Sequence, residues 1–131
     1  MACRKALSTG SALALRLGDP GASRWYSQQA SSLTSLLLST KFRYPNGAYR
    51  AYASSPNGRR GVDSAVLLAI LVAGEERDPD FSPTSPAVLA SVKVYVDAFR
   101  GMYVIANGTG QREGTDPVPT GRYPGEYYVH G

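Results

Sequence analysis

The sequence predicts an all-α fold, and three observations carry that expectation. Apolar residues recur at three- and four-residue steps, most clearly at Val88, Val92, Val96, Phe99 and Tyr103, the spacing that lines up one face of a helix. Helix punctuation stands at the borders of the periodic segments: Asp63 before and Gly74 after one of them, Ser85 before another, and the Gly18-Asp19-Pro20 cluster after a third. Alternation of the kind a strand needs is confined to a short stretch around Pro45-Asn46-Gly47.

Four helices follow from these signals. The first is expected from about Ala2 to Leu17 and stops at Gly18-Asp19-Pro20, because glycine tolerates the left-handed turn that ends a helix and proline cannot continue one. The second builds up through Ser23–Gln29 and is strongest over Ser31–Ser39, where Leu33, Leu36 and Leu37 share a face. From Phe42 to Tyr52 the aromatics Phe42, Tyr44, Tyr49 and Tyr52 alternate about Pro45-Asn46-Gly47, which reads as a tight turn between short extended arms. The third helix runs from Asp63, a good N-cap, to Ala73, with Gly74 as its stop. The fourth opens on Ser85 as cap and Pro86 in the first helical position, where the missing N–H costs nothing. Beyond Asn107 the chain is irregular, glycine-rich and broken by Pro117, Pro119 and Pro124.

The 131 residues suit one domain with a core of its own. Charged residues make up 18% and apolar residues 43%, a globular rather than a disordered composition. The net charge of +4 is uneven: residues 1–60 hold nine Lys and Arg against Asp19 alone, residues 61–131 five against nine acids. Because the basic residues stand singly among apolar and small ones, they read as a solvated surface and not as a nucleic-acid footprint. Cys3 is the sole cysteine, which excludes an internal disulfide and a cysteine-based metal site. No apolar run reaches eighteen residues, so no membrane helix is expected. Arg4 and Lys5 ahead of Ala12-Leu13-Ala14-Leu15 imitate a signal peptide, but Arg16 interrupts the apolar stretch too soon.

The richest chemistry lies in Gly121-Arg122-Tyr123-Pro124-Gly125-Glu126-Tyr127-Tyr128. An arginine on a loop held by proline and glycine offers five fixed donors, and neighbouring tyrosine rings can cover apolar ring carbons. That combination suits a cluster of sugar hydroxyls. Upstream stands Val96-Asp97-Ala98-Phe99-Arg100-Gly101-Met102-Tyr103; earlier blocks are Arg4-Lys5-Ala6-Leu7 with Gly10-Ser11-Ala12, Gly58-Arg59-Arg60-Gly61-Val62-Asp63-Ser64-Ala65, and Ser85-Pro86-Ala87-Val88-Leu89-Ala90. In this order and at this spacing they resemble the fungal glucoamylases, glycoside hydrolase family fifteen.

The resemblance covers nearly the whole chain and implies a set of expectations. The fold would be a segment of an (α/α)₆ toroid of six outer and six inner helices. The activity would be removal of glucose from the non-reducing ends of starch-type glucans, with inversion and without cofactor or metal. Residues 1–131 would be the middle part of the catalytic domain, with a general-acid glutamate in an upstream Trp-Glu-Glu segment, a general-base glutamate downstream, and neither within the chain. Arg122 would bind the terminal glucose, with Tyr123 beside it, chiefly as loop packing. Tyr127 and Tyr128 sit one position early relative to the family's Tyr-Tyr pair, and Gly125-Glu126 replaces Glu-Asp. The partner would be an α-glucan or maltooligosaccharide, and neither nucleic acid nor a membrane. Secretion is implied by the relatives alone. Helix faces made for absent neighbours would favour self-association. Two other readings stay open: an inactive fragment that keeps the pattern, and a helical interaction module that uses its basic half.

Other candidates carry less. Glu75-Glu76 invite an acid/base reading, yet adjacent residues at a helix end point apart, and a solvated loop explains them. Asp63 matches a family aspartate and is explained by capping. His130 is the sole histidine and has no triad or metal partners in sequence. Gly108-Thr109-Gly110 lacks the strand and remaining glycines of a dinucleotide loop. Asn107-Gly108-Thr109 is a glycosylation sequon, usable on a secretory route.

Overall fold

A computed structural model describes residues 1–54, 61–103 and 117–125. It contains four helices: α1 (Ala2–Arg16), α2 (Pro20–Leu38), α3 (Ser64–Ala73) and α4 (Pro86–Phe99). There is no strand among the described residues; the arms around Pro45-Asn46-Gly47 meet in a single antiparallel bridge between Arg43 and Tyr49.

The end of α1 is a Schellman motif. Gly18 takes φ of 79°; its N–H donates to the Leu15 carbonyl at 3.1 Å, and the Asp19 N–H to that of Ala14 at 2.9 Å. The sequence reading stops there correctly but misses what the cluster does next. Asp19 accepts the Ala22 N–H at 2.8 Å and Pro20 occupies the first position of α2, so the residues that close one helix also open the other. α2 therefore starts three residues before Ser23. With so short a link, α1 and α2 pack as an αα-hairpin. Ser11 Oγ donates to the Ser23 carbonyl at 2.8 Å across the seam, and Gly10 leaves room for the Tyr26 ring.

The core gathers where the aromatic turn, α3, the 75–85 segment and α4 converge. Tyr49, Ile70, Phe81 and Val88 are buried together, with Met1, Leu37, Leu38, Val66 and Ala87 packed against them. Tyr49 stacks on Phe81 with ring centroids 5.3 Å apart. Its hydroxyl donates to the Asp80 carbonyl at 3.1 Å, and its N–H donates to Ser91 Oγ at 2.8 Å. The hydroxyl and the N–H of Tyr49 thus each have a partner, as burial requires, whereas the buried Nε of Arg4 and that of Arg50 have no hydrogen-bond partner among the described residues. Arg4 lies over the other aromatic of the pair, 4.5 Å from the Phe81 centroid, and forms an ion pair with Asp78. This contact ties α1 to the segment that leads into α4.

Two details of α3 and α4 depart from the expected pattern. Gly74 ends α3 at φ −71°, which any residue can adopt, so handedness is not why glycine stands there. A Cβ at that position would lie 2.4 Å from the Phe81 carbonyl oxygen and 2.5 Å from that of Ile70. Close backbone approach is the reason. On α4 the buried positions are Val88, Ser91 and Phe99, while Val92 is exposed. Val88 and Phe99 stand inside as the spacing predicts, and Ser91 takes the place expected of Val92 because its hydroxyl receives the Tyr49 N–H. The helix also ends at Phe99, so Tyr103, placed in the stripe by spacing, meets it only as a ring stacked 6.3 Å from Phe99 beyond the helix end.

Leu13, Leu15, Leu17, Trp25 and Leu36 are exposed on the α1–α2 pair, Leu68, Leu71 and Val72 on α3, and Leu89 and Val92 on α4. Among the described residues no helix is long and apolar enough to cross a membrane.

Candidate substrate-binding loop

The loop that carries Arg122 is anchored on both sides. The Ser64 N–H, one of the donors that the start of α3 leaves without a helical partner, bonds to the Arg122 carbonyl at 2.8 Å. Tyr95, near the end of α4, donates its hydroxyl to the Gly121 carbonyl. Two successive helices, both distant from the loop in sequence, therefore hold successive peptide groups of it.

Asp63 completes the attachment. One of its carboxylate oxygens caps α3 by accepting the Ala65 N–H at 2.8 Å; the other accepts the Tyr52 hydroxyl at 2.8 Å and faces Arg122 Nε at 3.7 Å. Its side chain is 1% exposed, that of Arg122 61%. A buried carboxylate thus meets one edge of a guanidinium that remains largely open to solvent. The Arg122 guanidinium carbon lies 5.8 Å from the centroid of the half-buried Tyr123 ring. Of the predicted pair, Arg122 is largely exposed and Tyr123 lies half-buried beside it.

Sequence reading assigned Asp63 to capping alone. The structure adds two partners to it, and Tyr52 and Tyr95 join the site unannounced. Nothing in the sequence spacing could have paired Tyr52 or Arg122 with this acid, since the contacts close only in three dimensions. Of the other candidates, Glu75 is paired with Lys5 at the α1 side of the molecule, consistent with a surface role. Asn107, Gly108, Thr109, Gly110, Glu126, Tyr127, Tyr128 and His130 lie outside the described residues. Among the described residues no group of three or more His, Cys, Asp and Glu could hold a metal ion.

Comparison with known proteins decides the family. The family model of the glycosyl hydrolases family 15 matches residues 1–131. The chain belongs to that family. It is 38% identical over 130 residues to Glucoamylase-1 of Schizophyllum commune, an alignment covering 96% of this chain and 21% of the relative. It is 30% identical over 131 residues to Glucoamylase 1 of Rhizopus oryzae, covering 98% and 21% respectively. Glucoamylase-1 of Arthroderma benhamiae is 38% identical over 78 residues, 56% of this chain and 12% of that protein. No solved structure matches. The chain therefore spans about a fifth of the length of the Schizophyllum commune and Rhizopus oryzae relatives. As a family 15 chain it is an all-α segment of an (α/α)₆ toroid, and its four helices with no strand among the described residues accord with that.

Proposed function

We propose that this chain supplies part of the glucose site of a glucoamylase-type hydrolase, one that releases glucose from the non-reducing ends of starch-type glucans outside the cell. The chemistry is a single displacement with inversion. A glutamic acid protonates the leaving glycosidic oxygen while a glutamate on the opposite face activates water, the two carboxyls standing roughly 6.5–9.5 Å apart to admit that water. Both belong to segments outside these 131 residues, the middle part of the catalytic domain. Five of the described carboxylates are otherwise engaged: Asp19 and Asp63 cap helices, Asp78 and Asp97 pair with arginines, and Glu75 pairs with Lys5. The role of Arg122 is to hold the terminal glucose by its hydroxyls, with Tyr123 backing the guanidinium.

The observation that carries this reading is the largely exposed Arg122 side chain on a backbone held by α3 and α4, in a chain of this family. Fixed donors on a rigid support lose little entropy when they meet a ligand.

The test is kinetic. In the Schizophyllum commune relative with its matching 130 residues replaced by this chain, Arg122→Lys should lower kcat/KM nearly as far as Arg122→Ala, by about ten- to a hundredfold. Lysine keeps the charge and loses the planar fork that can hold two hydroxyls. The 131-residue chain alone should release no glucose from maltose or soluble starch. Unchanged kinetics in an Arg122→Lys enzyme whose melting temperature has dropped would reduce the arginine to a loop fastening.

A further inference from the structure

We infer that Asp63 and Tyr52 are positioning residues for Arg122: a buried carboxylate, itself fixed by a phenol, that sets the orientation in which the guanidinium meets a sugar. The inference rests on the reading of Arg122 as a glucose ligand and adds to it the part of the fold that aims it.

Three features of the site bear on this. Asp63 is nearly devoid of solvent contact, so its attraction for a cation is weakly screened compared with that of a surface acid. Its two oxygens have separate duties. Oδ1 is occupied by the Ala65 N–H, which leaves Oδ2 to receive Tyr52 at 2.8 Å and to face Arg122 Nε at 3.7 Å. The third feature is direction. An acid 3.7 Å from Nε, at ion-pair rather than hydrogen-bond distance, favours those rotations of the long arginine side chain that keep this edge near it, in a side chain that is 61% exposed. The Ser64 N–H holds the backbone of the same residue through its carbonyl. Main chain and side chain of Arg122 are therefore both referred to the first turn of α3. A role in helix capping alone would need neither Tyr52 nor the second oxygen.

The two functions of Asp63 can be separated by substitution. Asparagine is as good an N-cap as aspartate, so Asp63→Asn can keep the bond to Ala65 through its carbonyl oxygen while an amide takes the place of Oδ2. Tyr52→Phe keeps the ring and removes only the hydroxyl that braces Oδ2. The experiment is nuclear magnetic resonance on the 131-residue chain with maltose as the titrant: the Arg122 Nε–Hε signal, identified by its loss in Arg122→Lys, reports protection, the backbone amide signals of Gly121 and Tyr123 report the maltose response, and helix content is recorded in parallel.

In the unsubstituted chain the Nε–Hε signal should be protected from exchange with water, and the two amide signals should move saturably with maltose. Asp63→Asn should abolish the protection and weaken the maltose response about three- to tenfold. Tyr52→Phe should do the same to a smaller extent, both at unchanged helix content. Arg122→Lys should remove the response, and adding Asp63→Asn to it should change nothing further, the signature of residues that act as one unit.

If Arg122→Lys weakens the maltose response but Asp63→Asn and Tyr52→Phe leave both readouts unchanged, the positioning role is wrong and the sugar reading survives. A wild-type chain that gives no maltose response, or a response that Arg122→Lys leaves intact, overturns the sugar reading and this inference together. Should Asp63→Asn fail to fold, Tyr52→Phe alone decides, because it leaves the cap untouched.

Discussion

At the scale of single residues, the core is held by polar groups as much as by apolar ones. Tyr49 shows how. Burial pushes its phenol up to about 12, with Arg43 opposing and Asp80 and Asp78 adding to the shift. Because the neutral form is the one the fold accommodates, the stabilisation is complete below pH 10, the ordinary value, and is lost as pH rises through 10 towards 12. The unfolding free energy should therefore fall by up to about 1.4 kcal/mol per pH unit in that window, and Tyr49→Phe should flatten the slope. At neutral pH the same substitution should cost only about 1 kcal/mol, since the Asp80 carbonyl still receives Ser85 Oγ at 2.7 Å. Urea titrations at pH 8, 10 and 11 measure both effects; an equal alkaline slope in the Phe variant would show that another group controls it.

Asp78 acts at the opposite end of the scale. Burial works against its charge, but the N–H groups of Phe81 and Asp80 and the Arg4 guanidinium outweigh it, so the carboxyl titrates below its usual range. Its contribution is present above the ordinary carboxylate value and lost as pH falls through the lowered one.

At the scale of elements, the helices were legible where local chemistry sets them. The Ser85-Pro86 start of α4 and the Asp63 cap of α3 are short-range devices, and both stand where the sequence puts them: Ser85 Oγ receives the Val88 N–H at 3.4 Å and Asp63 that of Ala65. The Asp19-Pro20 start of α2 was hidden because the same residues also finish α1, and a stop signal masks a start signal one residue later. The inward face of α4 differed at one position, Ser91 for Val92, because Ser91, a polar residue, is buried to receive a backbone N–H from Tyr49. Apolar periodicity cannot register a buried serine. The Arg122 loop was legible as chemistry, while its attachment to Asp63, Tyr52 and Tyr95 was not, since no local signal encodes a contact between distant segments.

Gly74 yields the prediction proper to this scale. Gly74→Ala must move either the Ile70 or the Phe81 carbonyl, and overpacking of this kind costs about 1–3 kcal/mol. Gly18→Ala, with φ of 79° and open space around it, should cost about 1 kcal/mol through backbone strain alone. The Gly74 variant should consequently melt several degrees below the Gly18 variant. Equal melting temperatures would mean that the α3 terminus relaxes freely, and the close approach of the two carbonyls would lose its structural importance.

At the scale of the whole molecule, helix surface outweighs interior. Eight hydrophobic residues are buried among those described, whereas Leu68, Leu71 and Val72 alone leave much of α3 in solvent. A helix of sequence SAVLLAILVA has no polar face to offer water, and such helices belong between neighbours. In a toroid of twelve helices those neighbours are further helices. The 131-residue chain taken alone should therefore associate as its concentration rises, which sedimentation velocity would show as a growing mean mass. Leu68→Glu with Leu71→Lys should shift the distribution towards monomer with little change in melting temperature, because neither residue contributes to the buried cluster. A monomer at every concentration would mean that these faces are tolerated by water and that the segment is more self-sufficient than its surface implies.

The three-residue link between α1 and α2 also bears on the order in which a ribosome delivers the parts. Every contact within that hairpin lies inside the first 38 residues, so the pair can assemble as soon as Leu38 clears the exit tunnel. Asp63 is synthesised long before Arg122 and spends the interval capping α3 with its second oxygen committed only to Tyr52. The clasp on the arginine can form only when the last described loop arrives. Vectorial synthesis thus sets a sequence of events: a quickly formed helical hairpin, then the aromatic core, and last the ion pair between Asp63 and Arg122.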